Sequence, residues 1–285
     1  MGVYDSGYGG LTVLRQLRLR LPELDYVYLG DSGRAPYGGR DVDTLLDFSE
    51  QCVERLLGEG CRVVVVACHT VSCVALRQLQ RLYGGGRTSV LGVTIPAAEA
   101  AVAKTRGHIG FLGTARTVAS HTFRTEVHKL NPDVEVSEVA APLLAPIVEE
   151  AWEDTEIARM AVRRYIEAFS GIDTLVLGCT HYPLLEHAFR EAVSPEVTVL
   201  NPAPYVAERF ADWRTRHPGF APPGNGRLRT LSTGDSGRFA EFGARFLGEA
   251  LPHVEHVGRE HGRLALCPDG GEPLGQVVRF KRVHL

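Results

Sequence analysis

Residues 1–17, MGVYDSGYGGLTVLRQL, pass from a short apolar run ending at Asp5, through a glycine cluster (Gly7, Gly9, Gly10), into a helical pattern that starts at Leu11. Apolar runs and helical periodicity then alternate almost to the end of the chain. YVYLGD (26–31) precedes a helix over about 41–57, where Val42, Leu45, Leu46, Val53, Leu56 and Leu57 mark one face. RVVVVACHT (62–70) leads into a helix reaching about Tyr83, followed by SVLGV (89–93). A second series runs HIGFLGT (108–114), helix, DVEVSEV (133–139), helix, DTLVLGCTH (173–181), helix and VTVL (197–200). Strands this apolar, separated by helices, indicate parallel sheet buried on both faces, so the pattern predicts an α/β fold.

Two of these runs look like copies of one element. VVVVACHT and TLVLGCTH are each a continuous apolar strand ending in a cysteine, with threonine and histidine beside it and a helix following. Cys68 and Cys179 then lie at the carboxyl ends of strands, where open α/β sheets bind ligands. Two similar lobes facing each other bring the thiols to either side of one cleft. RHPGFAPPGNG (216–226) reads as a loop, and RLRTLSTGD after it reads as a strand returning to one lobe.

Composition narrows the picture. With 285 residues the chain holds one large domain or two modest ones, and 44% hydrophobic with 23% charged residues is ordinary for a globular protein. A formal net charge of -3 gives no global attraction to nucleic acid or an anionic membrane. No apolar run approaches the roughly 18 residues of a membrane span, and no signal-peptide segment follows the start. The six cysteines (52, 61, 68, 73, 179, 267) form no C-x-x-C pair, so they are expected as free thiols in a cytoplasmic protein. The opening residues match a myristoylation pattern, but acylating Gly2 would pull a buried strand from its sheet.

The glycine loop poses the first chemical question. A dinucleotide fingerprint read from Gly7 and Gly9 needs a third glycine at position 12, which is Thr12. Asp5 at the lip of the strand also opposes a pyrophosphate with like charge, so the nucleotide reading is disfavoured. The cysteines pose the second. Cys68, His69, Cys179 and His181 include suitable zinc donors, but adjacent strand-end residues tend to point apart. Cys52, Cys61 and Cys73 fall in or beside helices with nothing polar arranged around them and read as core fillers, while Cys267 sits in an unplaced tail. A single nucleophilic cysteine explains one lobe only. Two thiols across a cleft suit stereochemical inversion: one removes a proton from carbon, the other delivers one to the opposite face.

At these residues the chain resembles the bacterial glutamate racemases, within the cofactor-independent amino-acid racemases. GVYDSGYGGLTVL, DSGRAPYGGR, VVVVACHT, GTARTVAS, LVLGCTHYPLL and STGD (232–235) occur in that family's order and approximate spacing, over roughly residues 2 to 245. The resemblance implies two pseudosymmetric α/β lobes, one of residues 1–93 with 208–285 and the other of residues 94–207, with the active site between them. It implies that Cys68 and Cys179 act from opposite faces, Asp5 assisting the first and His181 the second, with Glu149 in APIVEE as a further active-site carboxylate. Ser6, Pro36, Tyr37, Gly38, Thr70, Thr114, Thr117 and Thr180 match substrate-cradling positions. The implied reaction interconverts L- and D-glutamate and supplies D-glutamate for peptidoglycan, with neither pyridoxal phosphate nor metal required. Thr70 and the turn from Thr180 to Pro183 read as helix starts, which are expected to lower thiol pKa values from about 8.5.

The chain also departs from the family pattern. Histidine, His69, stands where the family usually has an asparagine that touches substrate, and imidazole cannot supply amide donor and acceptor on one short arm. AWEDTE (151–156) after Glu149 and Glu150 leaves open which glutamate reaches the site. The glycine-rich 268–275 segment is expected to turn a β-hairpin, matching the family least. An aspartate or broad-specificity racemase, and a weakly catalytic binding or regulatory protein on the same scaffold, stay open as alternatives. So does a homodimer, because lobe surfaces and dimer faces look alike in one chain.

Overall fold

The computed structural model describes residues 1–251, 253–260 and 263–267. Eleven strands form two sheets among these residues. Strands β1 (Gly2–Asp5), β2 (Tyr26–Gly30), β3 (Val63–Val66) and β4 (Ser89–Gly92) belong to the first sheet. Strands β5 (His108–Gly113), β6 (Glu135–Ala140), β7 (Thr174–Gly178) and β8 (Thr198–Leu200) make the second. The chain then returns to the first sheet with β9 (Leu228–Ser232), β10 (Glu255–Glu260) and β11 (Arg263–Leu266). The orders are β11-β10-β9-β2-β1-β3-β4 and β6-β5-β7-β8. The second sheet therefore repeats the β2-β1-β3-β4 order of the first, which is the pseudosymmetry expected from the paired cysteine strands. All pairings are parallel except β10 with β11.

The helices are α1 (Leu11–Arg20), α2 (Val42–Gly58), α3 (His69–Val74), α4 (Leu76–Tyr83), α5 (Thr94–Lys104) and α6 (Ala115–Ala119). They continue as α7 (Thr122–Leu130), α8 (Leu144–Glu149), α9 (Glu156–Ile166), α10 (Glu186–Ala192), α11 (Ala203–Arg216) and α12 (Ser236–Leu247). Their placement on both sides of the sheets follows from strands without a polar face. Val63 and Val65 of β3 enter one core cluster while Val64 and Val66 enter another, as a side-chain period of two requires. The first of these clusters also takes Leu175 and Leu177 of β7 and Leu112 of β5. One apolar core thus touches both sheets and fixes them against each other.

Several boundaries differ from the sequence pattern. Strand β3 stops at Val66, two residues before Cys68, and the helix expected up to Tyr83 is split at Ala75 into α3 and α4. The turn after Cys179 opens as a 3-10 segment, Tyr182–Leu185, before α10 begins. A continuous helix, α11, spans the 207/208 position and leads toward β9. The hairpin expected around 268–275 lies outside the described residues. No helix among the described residues is long and apolar enough to cross a membrane.

Candidate active site

The carboxyl ends of β1, β3, β5 and β7 deliver Asp5, Cys68, Thr114 and Cys179 to one region. Cys68 and Cys179 both line a cavity of about 210 Å³. Ser6, Pro36, Tyr37, Gly38, His69 and Thr70 reach it from the first sheet, and Thr114, Glu149, Thr180 and His181 from the second. Asp5 and Thr117 are not on its wall but are buried behind it, at 0% and 1% exposure, in hydrogen-bond contact with the lining residues Thr180 and Thr70. Gly7 also lines the cavity, and Ala35, Gly39, Ala115, Pro142, Ala145 and Pro146 complete the lining without having been assigned to the site in the sequence. Their apolar side chains carry no chemical signature, so only the fold identifies them. Among the described residues, neither lysine nor arginine lines the cavity.

The two cysteines have different proton partners. Cys68 precedes α3, and its Sγ donates to Ser6 Oγ at 3.5 Å. Burial, reinforced by the charge of Asp5, pushes the Cys68 thiol up to about 12. This corrects the expectation of a thiol acidified by a helix start. Helix α3 is only six residues long, and loss of water outweighs what its N-terminus offers. On the other side, Cys179 Sγ lies 3.8 Å from His181 Nδ1, and His181 Nε2 lies 3.0 Å from Glu149 Oε1. Burial opposes charge on the His181 ring, but the Cys179 and Glu149 partners prevail and raise it to about 10. Glu149 ends α8 and is the glutamate that reaches the ring; Glu150 is the exposed residue after it.

Asp5 joins the two sheets. Its Oδ1 accepts from the Gly7 backbone at 3.0 Å and its Oδ2 accepts from Thr180 Oγ1 at 3.4 Å. Burial raises its pKa, while the neighbouring His181 charge and backbone N–H groups oppose that rise. The glycines of the opening loop now have a physical reason. A Cβ on Gly9 would overlap Thr180 Oγ1 and the His181 ring, and one on Gly10 would overlap the Asp5 side chain. They allow close approach between the two halves of the site rather than cradling a phosphate.

Three hydroxyls close the opposite end. Thr70 Oγ1 lies 3.0 Å from Thr114 Oγ1 and 3.2 Å from Thr117 Oγ1, and the last two lie 2.9 Å apart. This triangle crosses the cleft, since Thr70 belongs to one sheet's helix layer and the others to α6 and its cap. Beside it sits His69, 4% exposed. Neither ring nitrogen has a hydrogen-bond partner among the described residues, and burial holds the ring neutral down to about 4. Histidine, cysteine and carboxylate side chains do not gather into a group of three or more able to hold a metal ion, among the described residues.

A further carboxylate, which in the sequence supports only the disfavoured nucleotide reading, lies beside the site. Asp31, 0% exposed, accepts from Tyr37 Oη, from Arg34 Nε at 2.7 Å and from Thr233 Oγ1 at 2.7 Å. Arg34 also donates to Gln51 Oε1 at 2.7 Å and to Cys52 Sγ at 3.4 Å. Cys52 is therefore tied to a polar network, unlike the plain core filler expected, and Cys73 likewise contacts Thr94 Oγ1 at 3.4 Å. The network anchors the loop that carries Pro36, Tyr37 and Gly38. The DSGRAPYG motif held the signal, because an acidic residue and an arginine three apart on a 3-10 turn face each other.

Comparison with known proteins identifies the family and the fold. The Asp/Glu/Hydantoin racemase family model matches residues 12–209. A glutamate racemase from Neisseria gonorrhoeae is 40% identical over 263 residues, covering 90% of this chain and 96% of that protein. The crystal structure of a glutamate racemase isoform from Bacillus anthracis superposes with a TM-score of 0.86 at 34% identity, covering 92% of this chain and 97% of the other. That of glutamate racemase from Francisella tularensis in complex with D-glutamate gives 0.83 at 26% identity, covering 90% and 96%. With its repeated parallel sheets and its two cysteines on one cavity, this chain belongs to the Asp/Glu/Hydantoin racemase family.

Proposed function

We propose that the protein is a glutamate racemase that interconverts L- and D-glutamate by two-base proton transfer at the α-carbon, supplying D-glutamate for peptidoglycan. The observation that carries this reading is the pair of strand-end thiols, Cys68 and Cys179, on one small cavity with separate proton partners. In one direction Cys179, its proton passed to His181, removes the α-proton as a thiolate. The C–H electron pair moves into the α-carboxylate, and the Cys68 thiol delivers a proton to the opposite face. The reverse direction exchanges these roles, with Ser6 and Asp5 serving Cys68. General base catalysis accounts for roughly 10²- to 10⁴-fold, so stabilisation of the carbanion's charge must supply more.

That stabilisation is assigned to the hydroxyls and N–H groups at the cavity, where no lysine or arginine among the described residues contributes to the lining. Thr70, Thr114 and Thr117 form the hydroxyl cluster for one carboxylate. Ser6, Thr180, His69 and the Pro36–Gly38 loop with Tyr37 surround the rest of the ligand. The lobes are assigned to residues 1–93 with 208–285 and to residues 94–207.

A polarimetric assay on L-glutamate, D-glutamate and L-aspartate, without added cofactor, tests the reading. The expected outcome is racemisation of both glutamate enantiomers and loss of it in both Cys68→Ser and Cys179→Ser. Either variant retaining wild-type racemisation contradicts the two-thiol assignment, and turnover of aspartate alone contradicts the substrate.

A further inference from the structure

We propose that Arg245 is a positioning residue for the Cys179 side of the site: reaching from α12, its guanidinium holds the end of α8 so that Glu149 stays on His181. The inference rests on the catalytic roles assigned above. Arg245 Nη2 donates to the Val148 backbone carbonyl at 3.2 Å and to the Glu153 carboxylate. Val148 immediately precedes Glu149, and Glu153 lies four residues beyond it, so the guanidinium brackets the chain on both sides of the carboxylate.

The short helix explains why such an anchor is needed. α8 spans six residues and has no basic residue in its last turn to meet its own final carbonyls. Ala151, in the turn that follows, adopts a positive φ of 59°. One nitrogen, Arg245 Nη2, adds a second donor to the Val148 carbonyl, which also accepts from Ala151 N at 3.1 Å, and ties that carbonyl to the Glu153 carboxylate. The same helix α12 also sets Phe246 edge-on against the His181 ring, with centroids 5.2 Å apart. Thus one helix packed beside the first sheet's end holds both the ring and the carboxylate that partners it.

The ionisable groups acting on His181 are Cys179 on its own turn, Glu149 from α8 and Asp5 from β1. Only Glu149 depends on the Arg245 anchor. Releasing it removes one of the groups that favour the imidazolium, so the ring should lose its proton at lower pH. Because the two enantiomers have equal free energy in solution, kcat/KM must fall equally in both directions. A change confined to the Cys179 side therefore shows in kcat and in the ring's titration.

NMR titration of the His181 ring, with kcat and KM over about pH 6 to about pH 10, tests this in wild type, Arg245→Met, Arg245→Lys, Glu149→Gln and Arg245→Met combined with Glu149→Gln. Arg245→Met is expected to lower the ring's apparent pKa and to reduce kcat about 10- to 100-fold, with a smaller change in KM. In the Glu149→Gln background the same substitution should add little, because residues acting through one contact are not additive. Arg245→Lys keeps the charge but not the planar guanidinium and should give an intermediate shift, which also serves if the methionine variant does not fold. An unchanged His181 titration, or the same loss with and without Glu149, overturns the inference. Because the titration needs no turnover, it reads the anchor separately from the catalytic assignment, which fails instead if wild type does not racemise glutamate.

Discussion

At the residue scale, His69 is where this chain's own chemistry shows. An imidazole with two unpartnered nitrogens at 4% exposure adjoins the cavity, and such groups normally find a partner. Its ring is held neutral to about 4, against 6.5 for an unperturbed histidine. Between those values the unfolded chain takes up a proton that the folded ring refuses. Stability therefore falls as pH drops through this window, by up to about 3 kcal/mol from this group alone. His69→Asn should lose less stability than wild type between about pH 7 and about pH 5 in urea unfolding. It should also leave glutamate turnover near wild type or raise it, and a large loss of turnover would show that the imidazole has its own role. Cys68, Cys179, Asp5 and His181 were legible as site candidates because reactive side chains at the ends of apolar strands have few structural duties. The raised pKa of Cys68 was not, because it depends on how deeply the loop around Ser6 and the second sheet bury the sulfur.

At the element scale, the opening strand, loop and helix show how one pattern serves two chemistries. A strand followed by glycines and a helix is also a nucleotide signature, and only the missing third glycine and Asp5 argued otherwise. The structure supplies the reason for Gly9 and Gly10: Thr180, His181 and Asp5 occupy the space their side chains would need. The 31–38 loop carries a testable counterpart. Asp31→Ala leaves the Arg34 guanidinium partly buried without its carboxylate and frees the Tyr37 hydroxyl. The expected cost is about 3–5 kcal/mol in urea unfolding, together with weaker substrate affinity as the Pro36–Gly38 loop loses its anchor. Unchanged stability and KM would show that the network does not hold the loop. Strand and helix existence could be read from periodicity, whereas ends could not. The β3 and α3 boundaries fall inside VVVVACHT, where apolar residues suit either element and backbone hydrogen bonding decides.

At the scale of the whole molecule, the duplicated β2-β1-β3-β4 and β6-β5-β7-β8 orders put equivalent strand ends face to face. The VVVVACHT and TLVLGCTH repeat announced this, because both halves carried the same strand-to-cysteine ending. What the repeat could not show is the asymmetry built onto it. One thiol answers to a hydroxyl with a buried carboxylate nearby, the other to an imidazole held by Glu149, and α12 of the returning segment braces the second pair. The continuous helix α11 and the core shared by both sheets were equally hidden, since long-range packing leaves no local pattern.

The proposed transfer between two thiols and one α-carbon makes a specific isotopic demand. Each sulfur holds a single proton, so the hydrogen taken from one face is not the hydrogen returned to the other. Running the reaction in deuterium oxide from L-glutamate, and separately from D-glutamate, and following early α-carbon labelling by mass spectrometry after chiral separation tests this most directly. The account predicts deuterium in nearly every product molecule while the remaining substrate still carries protium. Product that retains the substrate's own hydrogen would contradict it, because that outcome requires one base serving both faces.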